Sequence, residues 1–358
     1  MIAVTKTYLP PFEEYTAQLK RAWDKAWITN NGVLVNELEA KLKEYLGVKH
    51  LLFCTNGTIV LQMALKVLGI SKEVITTPFS YVATTNIILW EQCKPVFVDI
   101  DKNDFCIDAS RIEAAITENT QAILATHVYG YPCDIDAIEK IAVRHNLKVI
   151  YDGAHGFGAS YKNKQLLGYG DISTCSFHAT KLFHTVEGGC IITNDDAIAE
   201  QLTLFRSFGH VGDNYYSPGI NGKNSEFHAA MGLCNLPRLP QIIKSRKQVS
   251  EWYGDLLRNS TIFRPAPLDE TIYNYAYYPV VFKSEEQLLL VKKTLEAKDI
   301  FTRRYFYPSL NKLPFIENAA ACLVAEDIAS RVLCLPLYDS LSFAEVEGIS
   351  KIILSVIN

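Results

Sequence analysis

The sequence predicts an α/β fold, a mostly parallel sheet covered by helices on both faces. Three observations lead there. Between about residues 50 and 195, short β-branched runs alternate with stretches of helical period. The strand candidates are apolar almost throughout, as expected of strands buried on both faces. Several of them run straight into polar or glycine-bearing segments, and in such sheets chemistry gathers beyond the carboxyl ends of the strands.

The strand candidates are 50–54, 74–77, 95–99, 121–126, 148–152, 173–176 and 190–193, with helix-period segments at 59–68, 81–90, 109–116 and 134–145. After Gly219 the pattern changes. Helices are expected at 226–236 and 239–257, then strands at 277–282 and 331–335 and helices at 285–297 and 343–353. This predicts residues 1–237 as an N-terminal arm with a large domain, and 238–358 as a smaller C-terminal α+β domain.

At 358 residues, two domains, or one large domain with an appendage, are expected. With 49% hydrophobic and 21% charged residues, there is material for a sizeable core, which excludes disordered, collagenous and coiled-coil classes. A net charge of −4 gives no electrostatic grip on nucleic acid or an anionic membrane. No apolar run approaches the ~18 residues that span a bilayer, and Lys6, Pro10 and Pro11 interrupt the start where a signal peptide needs apolar residues. Nine cysteines without a C-x-x-C pair read as reduced core thiols of a cytoplasmic protein. Eight histidines form no H-E-x-x-H cluster, so no metal is expected.

Three segments carry candidate chemistry. Thr55-Asn-Gly-Thr58 sits between a strand and a helix, where Gly57 and the Thr58 hydroxyl suit a phosphate. The alternative is a turn whose Thr58 caps the helix. In Lys148-Val-Ile-Tyr-Asp152-Gly-Ala-His155, Asp152 ends an apolar strand, where an ionised carboxylate is costly without a cation or several donors. A simple turn cap is again the alternative. In Ser176-Phe-His-Ala-Thr-Lys181, followed by Glu187-Gly-Gly189, a lysine among apolar neighbours suits Schiff-base chemistry with an aldehyde. Neither a dinucleotide nor a Walker glycine fingerprint occurs.

In order along nearly the whole chain, these segments resemble the DegT/DnrJ/EryC1/StrS sugar aminotransferases. The likeness also rests on Thr77-Pro-Phe-Ser-Tyr-Val-Ala-Thr84, Asp99-Ile-Asp101, His127-Val-Tyr-Gly-Tyr-Pro-Cys-Asp134, Gly219-Ile-Asn221 and Leu335-Pro-Leu-Tyr338. The resemblance implies a fold-type I aspartate aminotransferase scaffold with a mixed seven-stranded sheet, and pyridoxal 5′-phosphate as cofactor. It gives Lys181 the cofactor's aldehyde and the proton shuttle, and Asp152 the pyridine nitrogen. His155 would contact the ring hydroxyl and Tyr81 would stack on the ring. Gly57, Thr58 and Ser176 would bind the phosphate. Asn221 would reach the phosphate of a neighbouring subunit, implying a homodimer with shared sites.

The implied reaction is amino transfer from L-glutamate to a nucleotide-linked 4-keto-6-deoxy sugar. The wording around Thr29-Asn-Asn-Gly32, His178–His184 and Ser225–Ala230 looks most like the enzymes forming dTDP-4-amino-4,6-dideoxyglucose for surface glycans such as O-antigen. Amination at carbon 3 and a non-catalytic binding protein stand as alternatives. Relatives acting as 3-dehydratases carry histidine where this chain has Lys181, so transamination is expected. Gly219-Ile-Asn-Gly-Lys223 departs from the usual Gly-Tyr-Asn-Tyr-Arg. Gly153 departs from the usual alanine, a change affecting packing more than chemistry. His184 would face the substrate or pack in its loop. Arg303, Arg304, Tyr305 and Tyr307 would meet the nucleotide diphosphate or stay solvated.

Overall fold

The seven predicted strands form one sheet in the computed structural model, which describes residues 1–317 and 319–357. They are β1 (His50–Cys54), β2 (Glu73–Thr76), β3 (Lys94–Phe97), β4 (Thr120–Thr126), β5 (Lys148–Asp152), β6 (Ile172–Ser176) and β7 (Gly189–Thr193). Their spatial order is β1-β7-β6-β5-β4-β2-β3. From β3 through β6 every pairing is parallel, and only β7 runs antiparallel to its neighbours β6 and β1.

Both faces of the sheet are covered, for the reason legible in its strands. Successive side chains point to opposite faces, so an apolar run feeds two cores at once. Ile75, Ile123, Val149 and Tyr151 enter one core, while Val74, Leu124 and Ile150 enter the other. Burying each such side chain stabilises the fold by about 1.5–3 kcal/mol.

The helices nearest the site are α3 (Gly57–Val67) and α4 (Val82–Trp90). The sequence places α4 from Tyr81, which is in fact its N-cap. The expected helix at 109–116 ends after one turn at Ile112 and tightens to a 3-10 turn. Two helices not read from the sequence, α1 (Phe12–Trp23) and α2 (Val33–Leu46), precede the sheet. Glu226, fully buried, caps α2 by accepting the Leu34 and Val35 N–H groups at 2.7 and 3.1 Å.

Beyond the sheet comes a long helix, Leu239–Leu257. Leu239 and Ile242 pack into the core of the N-terminal helices, whereas Val249, Tyr253 and Leu257 pack into a separate core with the antiparallel strands Tyr278–Val281 and Val332–Leu335. We propose the border near residues 237 and 238 as the division between the larger and the smaller unit, with this helix shared. The start of the chain joins the smaller unit, since Ile2 pairs with Ile300 and the Val4 carbonyl accepts the Leu337 N–H.

One carboxylate ties the units together. Asp99 is buried just past β3 and accepts the Val324 and Ala325 N–H groups, both at 2.9 Å, at the start of the helix Leu323–Arg331. An acceptor at a helix N-terminus satisfies orphan donors and opposes the macrodipole. Asp99→Ala is expected to lower stability by about 2 kcal/mol, measured by urea denaturation; a loss below about 0.5 kcal/mol would show the cap to be dispensable.

Candidate active site

The carboxyl ends of β4, β5 and β6 deliver Thr126, Asp152 and Ser176 to one cavity of about 320 Å³. Gly57 and Thr58 line it from the start of α3, Tyr81 from the start of α4, and His155 and Lys181 from the loops after β5 and β6. The smaller unit closes it with Tyr277, Arg303, Tyr305 and Phe306. Three segments that look unrelated in sequence thus meet in one place.

The α3 end is built to receive an anion. Asn56, rather than Thr58, is the cap: its Oδ1 accepts the Thr58 and Ile59 N–H groups at 3.0 and 2.8 Å. The Thr58 hydroxyl is therefore not consumed in capping. A Cβ on Gly57 would stand 2.7 Å from the Ser176 Cβ, so only glycine lets the helix start and the Ser176 hydroxyl face the same space. Helix N-terminus, threonine and serine hydroxyls form a donor set that fits a phosphate ester.

Asp152 is 6% exposed, and its Oδ1 accepts the Ala154 N–H at 3.0 Å while Oδ2 accepts the Thr84 hydroxyl at 2.7 Å. Its carboxylate is thus fixed by two donors with an edge toward the cavity, as a protonated aromatic nitrogen would need. Gly153 beside it has a packing cause. A Cβ there would stand 2.1 Å from Leu167 Cδ2 and 2.9 Å from the Thr174 carbonyl, so alanine does not fit this chain.

Lys181 is partly buried in the loop joining β6 to β7, its N–H bonded to the His178 carbonyl at 2.8 Å. Burial pushes its ammonium below the ordinary lysine range, opposed by the Asp152 carboxylate. An amine so placed releases its proton readily and suits attack on an aldehyde. His155 is buried against Tyr277, with ring centroids 4.6 Å apart, and parallel to Phe306 at 5.7 Å. Its Nδ1 accepts the Tyr129 N–H at 3.2 Å, which assigns the ring proton to Nε2. Burial, and then the neighbouring Lys181, push its pKa well below the usual imidazole value.

The remaining expected residues fall elsewhere. His184 is 2% exposed and outside the cavity lining: Nε2 contacts the Tyr8 carbonyl at 2.6 Å and Nδ1 accepts the Val186 N–H at 3.2 Å. It packs in its loop and does not line the cavity. Arg303 lines the cavity, whereas Arg304 turns away to Glu285 and the Ser330 carbonyl, at 2.7 and 2.8 Å. Tyr307 lies under the Arg304 guanidinium, 3.4 Å from ring centroid to Cζ, and does not line the cavity. Asn221 is exposed outside the lining, bridged to Ser207 beside the hairpin of His210–Val211 and Asn214–Tyr215. Lys223 lies over the Phe208 ring, 4.9 Å from its centroid.

Sequence reasoning missed Asn56, Ser80, Thr84, Thr126, Tyr277 and Phe306. The first four stand within or beside the strand-end segments, so a search for hydroxyls and amides after each apolar strand would have found them. Tyr277 and Phe306 come from the other unit, and no local signal marks them.

The family model described as the DegT/DnrJ/EryC1/StrS aminotransferase family matches residues 12–354. Among curated proteins, the chain is 42% identical over 348 residues to the dTDP-4-amino-4,6-dideoxy-D-glucose transaminase of Shigella dysenteriae, covering 95% of each chain. It is 39% identical over 370 residues to the Escherichia coli protein of the same name, covering 99% of this chain and 98% of the other. Among solved structures, DesI in the presence of its TDP-sugar product superimposes with a TM-score of 0.94 at 29% identity, covering 100% of this chain and 93% of that one. Helicobacter pylori PseC, an aminotransferase involved in the biosynthesis of pseudoaminic acid, gives 0.92 at 28% identity, covering 99% of each.

The buried imidazole has a consequence for pH. The unfolded chain takes up a proton near pH 6.5 that the folded His155 ring refuses, so its contribution to stability is present above that pH and is lost as pH falls below it. Between pH 7.0 and 5.5, His155→Asn is expected to lose about 1 kcal/mol less stability than the unaltered protein. Urea melts at the two pH values measure this, and parallel losses would mean that the folded ring takes up its proton as readily as the unfolded one.

Proposed function

The chain belongs to the DegT/DnrJ/EryC1/StrS aminotransferase family, and on that premise we propose that it uses pyridoxal 5′-phosphate to move the amino group of L-glutamate onto a dTDP-linked 4-keto-6-deoxy sugar. The product is dTDP-4-amino-4,6-dideoxyglucose, a precursor for surface glycans such as O-antigen. The observation carrying the cofactor is a single cavity in which a buried carboxylate, a buried lysine and an anion-binding helix start converge, Asp152, Lys181 and Gly57. The sugar is favoured by the two relatives of that name, at 42% and 39% identity over nearly the whole chain.

Pyridoxal 5′-phosphate supplies an electron-withdrawing ring and an aldehyde carbon able to carry nitrogen between donor and acceptor. The protein does the rest. The Gly57 and Thr58 end of α3 and the Ser176 hydroxyl bind the phosphate. Asp152 would hold the proton on the ring nitrogen, and His155 would offer its Nε2 proton to the ring oxygen. Tyr81 covers a ring face. Lys181 would hold the aldehyde carbon and would carry a proton to or from the substrate carbon that gains or loses the amine. Arg303, placed in the lining by the smaller unit, meets the diphosphate of the nucleotide.

A homodimer fits the surface. Asn221 lies outside its own cavity beside a hairpin whose Tyr215 and Tyr216 are 77% and 64% exposed. Placed against a second copy, Asn221 completes the partner's phosphate site. Among the described residues no helix is long and apolar enough to cross a membrane, and all nine cysteines are free and buried, which favours the cytoplasm.

Incubation of the protein with L-glutamate and dTDP-4-keto-6-deoxyglucose, read by mass spectrometry with carbon position from NMR, tests the proposal. The 4-amino sugar and 2-oxoglutarate are expected in equal amounts, and Lys181→Ala is expected to lower turnover by about 10³-fold or more. No aminated sugar, amination at carbon 3, or an active Lys181→Ala protein would overturn it.

A further inference from the structure

Asp152 stands at the end of a chain of buried hydroxyls. Thr84 Oγ1 donates to its Oδ2 at 2.7 Å, Ser80 Oγ lies 2.6 Å from Thr84 Oγ1, and Thr126 Oγ1 donates to Ser80 Oγ at 3.3 Å. All three side chains are nearly inaccessible, with exposures of 1%, 0% and 2% for Ser80, Thr84 and Thr126. They come from three places in the fold: the segment after β2, the first turn of α4 and the end of β4.

The direction of the protons follows from chemistry. An ionised carboxylate only accepts, so the single Thr84 proton goes to Asp152. The short contact behind it then needs the Ser80 proton, even though the Tyr81 carbonyl lies 3.1 Å from the same hydroxyl. Thr126 donates in turn to Ser80. Every dipole points at the acid, and hydrogen bonds in such a row strengthen one another. A protonated Asp152 would bring a donor to a position already filled by one. The row drawn this way meets the anion; a neutral acid would require it to reverse, with Ser80 then donating to the Tyr81 carbonyl.

We propose that Thr84, backed by Ser80 and Thr126, is a positioning residue that holds the Asp152 carboxylate turned toward the cavity, so that the site prefers a ligand with a protonated pyridine nitrogen. This rests on the cofactor reading above. Thr84 touches neither cofactor nor substrate and acts only through Asp152. Because Thr84 lies in the first turn of the helix capped by Tyr81, the same bond also sets the stacking residue against the acid.

The test compares two probes on the full chain freed of cofactor: pyridoxamine 5′-phosphate and its 1-deaza analogue, in which carbon replaces the ring nitrogen. Dissociation constants are read from tryptophan fluorescence, with melting temperatures alongside. Thr84→Val, which keeps shape and removes the hydroxyl, is expected to weaken the natural probe about tenfold and the deaza probe less than about twofold. Thr84→Ser is expected to restore binding to within about threefold. Ser80→Ala, one bond further back, is expected to cost the natural probe about two- to fivefold.

Equal weakening of both probes by Thr84→Val would assign the threonine to packing and overturn the proposal. So would unchanged binding of both while Asp152→Asn discriminates strongly between them. If Asp152→Asn treats the two probes alike, the pairing of acid and ring nitrogen fails first, and the role of Thr84 fails with it.

Discussion

A carboxylate is buried at the end of a parallel strand, and much of the surrounding architecture is arranged around that fact. Left alone, the Asp152 anion would cost the fold several kcal/mol of lost hydration. The structure offsets this with donors fixed before any ligand arrives, the Ala154 N–H on one oxygen and the Thr84 hydroxyl on the other. Neither donor carries charge. The carboxylate is hydrogen-bonded yet, among the described residues, has no cation locked on it, and its negative field remains available to the cavity and to Lys181. A salt bridge in the same place would have satisfied the acid and spent it.

Lys181 is the counterpart of that acid, and its two influences work against each other. Burial disfavours the ammonium form, while the Asp152 charge favours it. The net direction is downward, so desolvation by the apolar loop prevails. The loop does this through its own packing: Phe177, Leu182 and Phe183 flank the lysine segment in sequence and are buried in the core beneath the N-terminal helices. The amine is thus kept reactive by packing.

Much of this was legible because strand ends are short-range features. Asp152 after Val149-Ile-Tyr, Ser176 after Ser173-Thr-Cys and Gly57 after the 50–54 run announce themselves as polar or glycine residues where an apolar run stops. The sheet followed from the same runs, whose alternate residues feed two cores. What stayed hidden depends on long-range contact. Nothing near His184 says that the Tyr8 carbonyl, 176 positions away, will take its Nε2. The pair Arg303 and Arg304 reads as one guanidinium patch, yet a cross-strand bridge to Cys334 fixes the backbone at Arg303 and sends the next side chain the other way, onto Tyr307 and Glu285. Even Thr58 as cap was a local error of one residue type, because Asn56 has an acceptor that reaches two N–H groups at once.

The smaller unit adds Arg303 to the cavity, and its aromatic strap is held by side chains that donate to backbone carbonyls. Asn274 donates to the His155 and Phe157 carbonyls at 2.8 and 2.9 Å, and Arg246 donates to the Tyr275 and Ala276 carbonyls at 2.9 and 2.6 Å. These bonds fix the strap that carries Tyr277 onto the face of His155. Arg246 is buried and spends its donors on carbonyls, and burial pushes its pKa down to about 10. An arginine can bear that because its guanidinium stays charged at any physiological pH. A lysine of the same reach would be a weaker clamp, since it cannot span two carbonyls with a rigid fork. The aromatic wall is thus held by groups whose charge does not change, while the amine that exchanges protons, Lys181, is confined to the cavity itself.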